Sequence, residues 1–490
     1  MVDVPLNPPW PANRPWDLTF PQSLYAELAA HLFPGDGDEH GAIVLAGVHV
    51  RQDRVRLLAR NLVLARDGVD HVFGGRGYKM IRAEFIHPLI RRARDERLVL
   101  LTVHNHGGRD RVAFSPDDLA SHERGYPALL DIARGMPVGA LVFAENAMAG
   151  DIWLPGGRRI PLEVGVVLGP RRMLLRPEPA LCDGHVAAAL YDRQVRLFGR
   201  AGQAQLAQAC VGIIGLGGAG SILAELLARL GVRRFVLIDP DRADVSNLPR
   251  LIAARRRDVL MSDAAIARMG MLAPFLERLR QRKVDLAARN IRRANPHARV
   301  RRIFSDVTRP VPAAALQACD FLFLAADQMS ARLVFNALVQ QYLIPGIQVG
   351  ARVVADAATG AVDDVYAVER WVQPGDGCLW CNGLINPSRL QLEAIGQAER
   401  PLGAYGAEEP AASVVSLNAI ATSHAVNSFQ MFLTGLANPA ASLGYRRHRA
   451  LSGRLTLEMP ARSEACPECG LGRASRRARG DGNALPLRQR

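Results

Sequence analysis

"CVGIIGLGGAGSILAELLARLGVRRFVLIDPD", residues 210–241, decides the fold of the second half of the chain. An apolar run short enough for a buried strand turns through Gly215, Gly217, Gly218 and Gly220. A helical segment follows, closed by Gly231, and a second apolar run ends at Asp239. This strand–helix–strand unit opens a doubly wound sheet. The glycines would let a phosphate approach the helix N-terminus, and Asp239 could bind a ribose hydroxyl. Alone, the pattern fits a dinucleotide-dependent oxidoreductase equally well.

The residues beyond it narrow the choice. "DPDRADVSNLPR" adds Asp241, Asn247 and Arg250, and "RLRQRKVDLAARNIRRANP" adds Lys283. Lys79 and Lys283 are the only lysines among 61 basic residues. A compact ammonium is not interchangeable with a guanidinium at a phosphate, so Lys283 stands out. "CDFLFLAADQMSAR" reads as a strand ending near Asp327, whose carboxylate could hold Mg2+. Upstream, "YDRQVRLFG" carries Arg193 and Arg196.

This order resembles the adenylation domain shared by ubiquitin-activating enzymes and the bacterial ThiF and MoeB proteins, over about residues 188–470. The resemblance implies ATP over the glycine loop with Asp239 on its ribose and Asp241 in the same nucleotide site. It implies phosphate contacts from Asn247, Arg250 and Lys283, and Mg2+ on Asp327 near the α-phosphate. Arg193 would reach the ATP of the other subunit of a homodimer, while Arg196 is expected on a solvated face. The implied reaction is attack of a carboxyl terminus on the α-phosphate with loss of pyrophosphate, which needs cations and positioning more than an acid/base pair.

Two Cys-x-x-Cys pairs, Cys378/Cys381 and Cys466/Cys469, are separated by 84 residues. They suit a closed structural zinc site, with a redox pair as the alternative; the resemblance favours zinc. Many relatives also carry a thioester-forming cysteine after the first pair, and none lies between Cys381 and Cys466. Cys210 and Cys319 are expected in the core and Cys182 in a linker. The reaction would then stop at the acyl-adenylate or pass directly to a conjugating-enzyme-like acceptor; an oxyester on Ser388 is a further option.

The first half carries different chemistry. "LVLLTVHNH" alternates like a strand, which points His104 and His106 to one face. Gly107 and Gly108 allow a sharp turn, and Ser115–Pro116 fits a helix cap and first position. Asp118 then lies in the first helical turn. Two histidines and a carboxylate leave one position open, as in a catalytic zinc site, and Glu39 just before "GAIVLAGVHV" could serve as general base. Taken singly, these are also an ordinary strand, turn and helix start. Together, Glu39, His104-x-His106 and Ser115-x-x-Asp118 resemble the JAMM (Mov34/MPN) metallopeptidase motif over roughly residues 20–165. That resemblance implies zinc on His104, His106 and Asp118, proton transfer by Glu39 and oxyanion support from Ser115. It also implies hydrolysis after the C-terminal glycine of ubiquitin-like proteins.

The expected architecture is therefore α/β throughout. Residues 1–20 form an extended N-terminus, 21–166 a JAMM-type metallopeptidase domain, and 167–187 a linker. Residues 188–470 form the Rossmann-like adenylation domain with its zinc site, and 471–490 a disordered basic tail. The net charge of +14 comes almost wholly from arginine and carries no aromatic-basic patch, so nucleic acid is not expected as a partner. No run approaches the length of a membrane helix and no secretory h-region opens the chain, which places it in the cytoplasm.

Joined on one chain, the two resemblances imply a bacterial ubiquitin-like modification enzyme, of a kind linked to phage defence. The peptidase would either mature the modifier or remove it from targets. The alternative is activation of a sulfur-carrier protein for thiocarboxylate-dependent biosynthesis. A basic nucleic-acid or scaffold protein with decayed sites is the non-enzyme reading.

Overall fold

β1 (Trp16–Pro21) is buried along its whole length, and it holds the first sheet together from both sides. The computed structural model describes residues 10–72, 80–179, 189–259, 265–266, 268–356, 359–395 and 413–488. They divide into two units. The first gathers Met1–Leu181, Gln340–Leu343 and Gly470–Ala484; the second holds Cys182–Val339, Ile344–Cys469 and Leu485–Arg490.

The first unit continues with α1 (Gln22–Leu32), β2 (Gly41–Val50), β3 (Val55–Leu64), α2 (Ala83–Glu96), β4 (Val99–Asn105) and α3 (Pro116–Ala133). β5 (Val138–Phe143), β6 (Met148–Trp153), β7 (Arg159–Leu168) and β8 (Arg172–Leu175) complete it. The strand order is β1-β3-β2-β4-β5-β6-β7-β8, and β1 also pairs with β7, so the sheet curls back on itself. β2 reads as a continuous apolar run because both its faces are covered: all but its last residue are buried. α1 lays Leu24, Leu28 and Leu32 against the sheet at helical spacing.

Three expected boundaries change. The extended N-terminus expected over residues 1–20 gives way from Trp16, because Trp16, Leu18 and Phe20 are core side chains of this sheet, while residues 1–9 lie outside the described residues. The linker expected from 167 starts later, since β7 runs to Leu168 and pairs with β8; Cys182 lies outside the described residues.

Residues 471–484 of the tail expected to be disordered instead pack within the first unit. Gly480 bridges Val48 of β2, and Arg477 and Ala478 are buried. The buried Arg60 guanidinium donates to Gly472 O at 2.9 Å and Ser475 Oγ at 3.2 Å, and also to Arg477 O. Glu96 accepts from Arg479 at 3.0 Å. Arginine–carbonyl bonds and an ion pair do here what apolar side chains do elsewhere, which is why composition reads the segment as solvated.

The second unit contains α4 (Asp192–Gln208), β9 (Cys210–Ile214), α5 (Gly218–Arg229), β10 (Arg234–Ile238), α6 (Ala273–Leu279), α7 (Lys283–Ala294), β11 (Arg299–Ile303) and α8 (Pro310–Leu316). β12 (Phe321–Leu324), α9 (Met329–Tyr342, whose residues from Gln340 count with the first unit), β13 (Gly346–Ala355), β14 (Val362–Val372), α10 (Pro387–Ala394), α11 (Val415–Leu433), β15 (Tyr445–Arg449) and β16 (Arg454–Glu458) follow. The sheet runs β11-β10-β9-β12-β13-β14-β15-β16. β11 through β13 pair in parallel, and β13 onward in antiparallel. This is the expected Rossmann-like sheet with an antiparallel extension. The strand order reverses between β9 and β12, where ligands bind in open α/β sheets.

Candidate functional site

In the first unit β4 delivers His104 and the residue after it delivers His106, whose N–H donates to Phe143 O at 2.9 Å. Ser115 caps α3: it accepts the Asp118 N–H at 3.1 Å, and the Asp118 carboxylate accepts the Ser115 N–H at 2.7 Å. This capping box turns Asp118 toward the histidines. His104 Nε2 and His106 Nε2 are 3.2 Å apart, and the Asp118 oxygens lie 3.4 Å from His104 Nε2 and 3.3 Å from His106 Nε2. A tetrahedron of donors about 2.0–2.1 Å from an ion has edges of about 3.3 Å, so the spacing fits zinc. His106 Nδ1 lies 3.1 Å from Ala113 O, and a proton donated there leaves the Nε2 lone pair for a metal. Glu39 Oε1 is 3.9 Å from His106 Nε2.

The electrostatics match these roles. Burial pushes the Glu39 carboxyl above its ordinary range despite His104 and His106 nearby. Burial also works against the Asp118 carboxylate, yet hydrogen bonds from His104, His106 and Ser115 hold it well below the usual range. The hydrogen bond to Asp118 raises His106. All five expected residues of this site therefore meet. Asn105, between the two histidines, was missed: its side chain accepts the His40 N–H at 2.6 Å and donates to Asp38 O at 3.1 Å. Its signal was a polar residue on the buried side of an alternating strand.

In the second unit the glycine loop follows β9. Gly215 has φ +87°, and a Cβ there would meet the Ala325 backbone at 2.9 Å. A Cβ on Gly220 would lie 1.9 Å from Gly215 O, so no side chain fits. A Cβ on Gly218 would meet Asn418 Nδ2 at 2.4 Å, whereas Gly217 opens onto free space. Asp239 is buried at the end of β10 and accepts N–H groups from Leu216 at 2.6 Å and Asp241 at 2.8 Å. It thus braces the glycine loop, and burial raises its carboxyl despite Lys283 nearby.

Lys283 Nζ is 2.7 Å from Asp241 Oδ2. Asn247 ends a short turn (Val245–Asn247), and Arg250 donates to Ser246 O at 2.9 Å with its stem against Gly218. Asp327 is exposed beyond the end of β12, the strand next to β9. Arg193 is exposed on the first turn of α4, while Arg196 pairs with Asp192 at 2.7 Å, the solvated role expected of it. Glu393 of α10 was not anticipated; it accepts the N–H groups of Met329 at 2.7 Å and Ser330 at 2.8 Å, capping α9 two residues after Asp327.

The two cysteine pairs converge. Sγ atoms of Cys378 lie 3.8 Å from Cys381 and 3.8 Å from Cys466, and Cys381 lies 3.5 Å from Cys469. Zinc–thiolate bonds of about 2.3 Å place sulfurs about 3.8 Å apart, so this cluster fits a closed tetrahedral site. The hydrogen bond from Cys469 holds Cys378 down to about 6, and burial pushes Cys466 up to about 11. Four thiols this close cannot all ionise without a cation among them.

Among the described residues, no helix is long and apolar enough to cross a membrane.

Comparison with known proteins follows the second unit. The ThiF family matches residues 191–471, more than half of the chain. The chain is 25% identical over 250 residues to ubiquitin-like modifier-activating enzyme 5 of Drosophila erecta, covering 51% of this chain and 56% of that protein. It is 30% identical over 149 residues to the molybdopterin-synthase adenylyltransferase of Salmonella typhimurium, covering 30% and 52%. It is 32% identical over 110 residues to the tRNA threonylcarbamoyladenosine dehydratase of Bacillus subtilis, covering 22% and 35%. The chain thus spans about a third to a half of the curated relatives it matches. The solved structure of E. coli MccB with ATP is similar over 60% of this chain and 77% of that one, at 19% identity and a TM-score of 0.44. With the glycine loop, the β9/β12 reversal and the convergent cysteines all inside the matched span, the chain belongs to the ThiF family.

Proposed function

We propose that the chain is a two-headed enzyme acting on one kind of substrate, the carboxyl terminus of a ubiquitin-like protein ending in glycine. The second unit adenylates that terminus with ATP and Mg2+. The first hydrolyses the peptide or isopeptide bond that follows it. The family match and the names of its relatives support the adenylating half. The hydrolytic half rests on one observation: two histidine nitrogens 3.2 Å apart, each within 3.4 Å of an Asp118 carboxylate oxygen, with Glu39, whose carboxyl is raised by burial, beside them.

In the adenylating unit ATP lies over the glycine loop, where Gly217 leaves room for phosphate. Lys283, Asn247 and Arg250 meet the phosphates, and Lys283 exchanges its Asp241 partner for them. Asp239 holds the loop and shares its oxygens with the ribose. Asp327 holds Mg2+, which would draw charge from the phosphoryl oxygens. Arg193 reaches a second subunit of a homodimer. The cysteine cluster holds a structural zinc.

In the hydrolytic unit His104, His106 and Asp118 hold zinc, which would act as a Lewis acid and make water more acidic. Glu39 accepts a proton at its carboxylate and returns it to the leaving amine. Ser115 would turn its hydroxyl from Asp118 Oδ2 to the developing oxyanion. Tethering both sites to one chain raises the local concentration of the shared substrate.

A second reading, sulfur-carrier activation, is favoured by the lack of any cysteine between Cys381 and Cys466, since an adenylate passed to a sulfur donor needs no thioester here. Incubation with ATP, Mg2+ and a glycine-terminated modifier, read by mass spectrometry, separates the outcomes. An adenylate fits both readings, a conjugate supports modification, a thiocarboxylate formed with a sulfur donor supports the second reading, and no adenylate with any modifier removes both.

A further inference from the structure

The residue between the two histidines is treated by the strand as a buried anchor. Asn105 is 5% exposed on the face of β4 opposite His104. Its amide is fixed by two partners of opposite kind. Oδ1 accepts the His40 N–H at 2.6 Å, and Nδ2 donates to Asp38 O at 3.1 Å. Those partners flank Glu39 on either side. One buried side chain on the strand that carries His104 therefore clamps the backbone that carries the general base.

The loop needs such a clamp. Glu39 precedes β2 and lies outside any regular element, so no ladder fixes it. Its own N–H goes to the Asp38 side chain at 3.0 Å. The neighbouring His40 ring is held by Asp36 at 3.1 Å and Asp67 at 3.1 Å, and Asp36 also accepts the Asp38 N–H at 3.0 Å, whereas Asn105 ties the loop to the strand that carries His104. A general base works at hydrogen-bond distance from the proton it takes, and small misplacements are expensive in rate.

We infer that Asn105 is a positioning residue that sets the distance and direction of Glu39 relative to His104 and His106 through its paired bonds to His40 N–H and Asp38 O. The inference rests on the hydrolytic reading above for its catalytic consequence, but the clamp itself is independent of that reading. A side chain such as serine or alanine there would leave the metal donors untouched and free the base.

The test compares Asn105→Ala and Asn105→Asp with Glu39→Gln in the full chain. Asn105→Asp keeps the size and the acceptor for His40 N–H and loses the donor, so it stays readable if Asn105→Ala does not fold. The expected result is a kcat about 10- to 100-fold lower in Asn105→Ala with KM and zinc content unchanged, and a smaller loss in Asn105→Asp. Hydrogen exchange read by mass spectrometry should show faster exchange at His40 in Asn105→Ala, with the β4 core unchanged. Wild-type kcat in a folded, zinc-loaded Asn105→Ala, beside an inactive Glu39→Gln, overturns the inference and leaves the peptidase reading standing. Loss of zinc in Asn105→Ala also overturns it, by making the residue a support of the metal donors. If wild-type protein shows no zinc-dependent cleavage, the peptidase reading fails, and unchanged exchange at His40 still overturns the clamp.

Discussion

The Ser115 hydroxyl meets Asp118 twice, beside the backbone bond from Ser115 N–H: it accepts the Asp118 N–H at 3.1 Å and donates to Asp118 Oδ2 at 2.7 Å. One serine thus starts a helix and orients a proposed metal ligand. Ser115→Ala should remove both. The cap loss costs about 1 kcal/mol of stability, and loss of an oxyanion donor lowers kcat about 100-fold or more. Thermal melting and steady-state kinetics check the two separately. A kcat unchanged with a lowered melting point would reduce Ser115 to a cap.

Metal content should split by unit. Wild-type protein should carry zinc at both donor sets. His106→Ala should lose the ion near Asp118 and keep the other, and Cys466→Ser should do the reverse while lowering the stability of the second unit. Elemental analysis of the purified proteins reads this directly. Retention of all zinc in His106→Ala would remove the first-unit site.

His122 gives a pH signature. It is buried, stacks on Tyr126 with ring centroids 4.7 Å apart, and burial with His104 nearby lowers it to about 4. Above its ordinary value of 6.5 the ring is neutral in both states and costs nothing. As pH falls from there toward 4, the unfolded chain takes a proton that the folded chain refuses, and stability drops. The first unit should therefore melt lower at about pH 5 than at about pH 7.5, and His122→Phe, which keeps the ring contacts, should flatten that slope.

Much of this was legible in the sequence, and the misses have physical causes. The β9–α5–β10 unit announced itself because glycine at 215 and 220 is forced by backbone approach. His104, His106 and Asp118 were legible because strand alternation and a helix cap fix where short side chains point. Asn105 was not, because its value lies in two backbone partners some 65 residues away. The tail was misread because its carbonyls accept from the distant Arg60 and its Arg479 pairs with Glu96, which composition cannot foresee.

That tail carries its own prediction. Deleting residues 471–490 leaves the Arg60 guanidinium, 1% exposed, without its carbonyl partners. The first unit should lose on the order of 3 kcal/mol. Arg60→Met in the truncated chain should recover part of it, because the uncompensated charge is gone. Denaturant melts of the paired variants decide this, and equal stability with and without the tail would contradict it.

The most direct measurement follows one substrate through both sites. A panel of ubiquitin-like proteins, each glycine-terminated, C-terminally extended or isopeptide-linked, is incubated with the chain, ATP, Mg2+ and zinc and read by mass spectrometry. The account predicts that a member of the panel forms an adenylate when its glycine is free. It also predicts that the extended or linked form of that same member is cut after the glycine, and that Glu39→Gln abolishes the cut while leaving adenylation intact. An adenylate with no cleavage of either blocked form, or cleavage that survives Glu39→Gln, would contradict the two-headed enzyme.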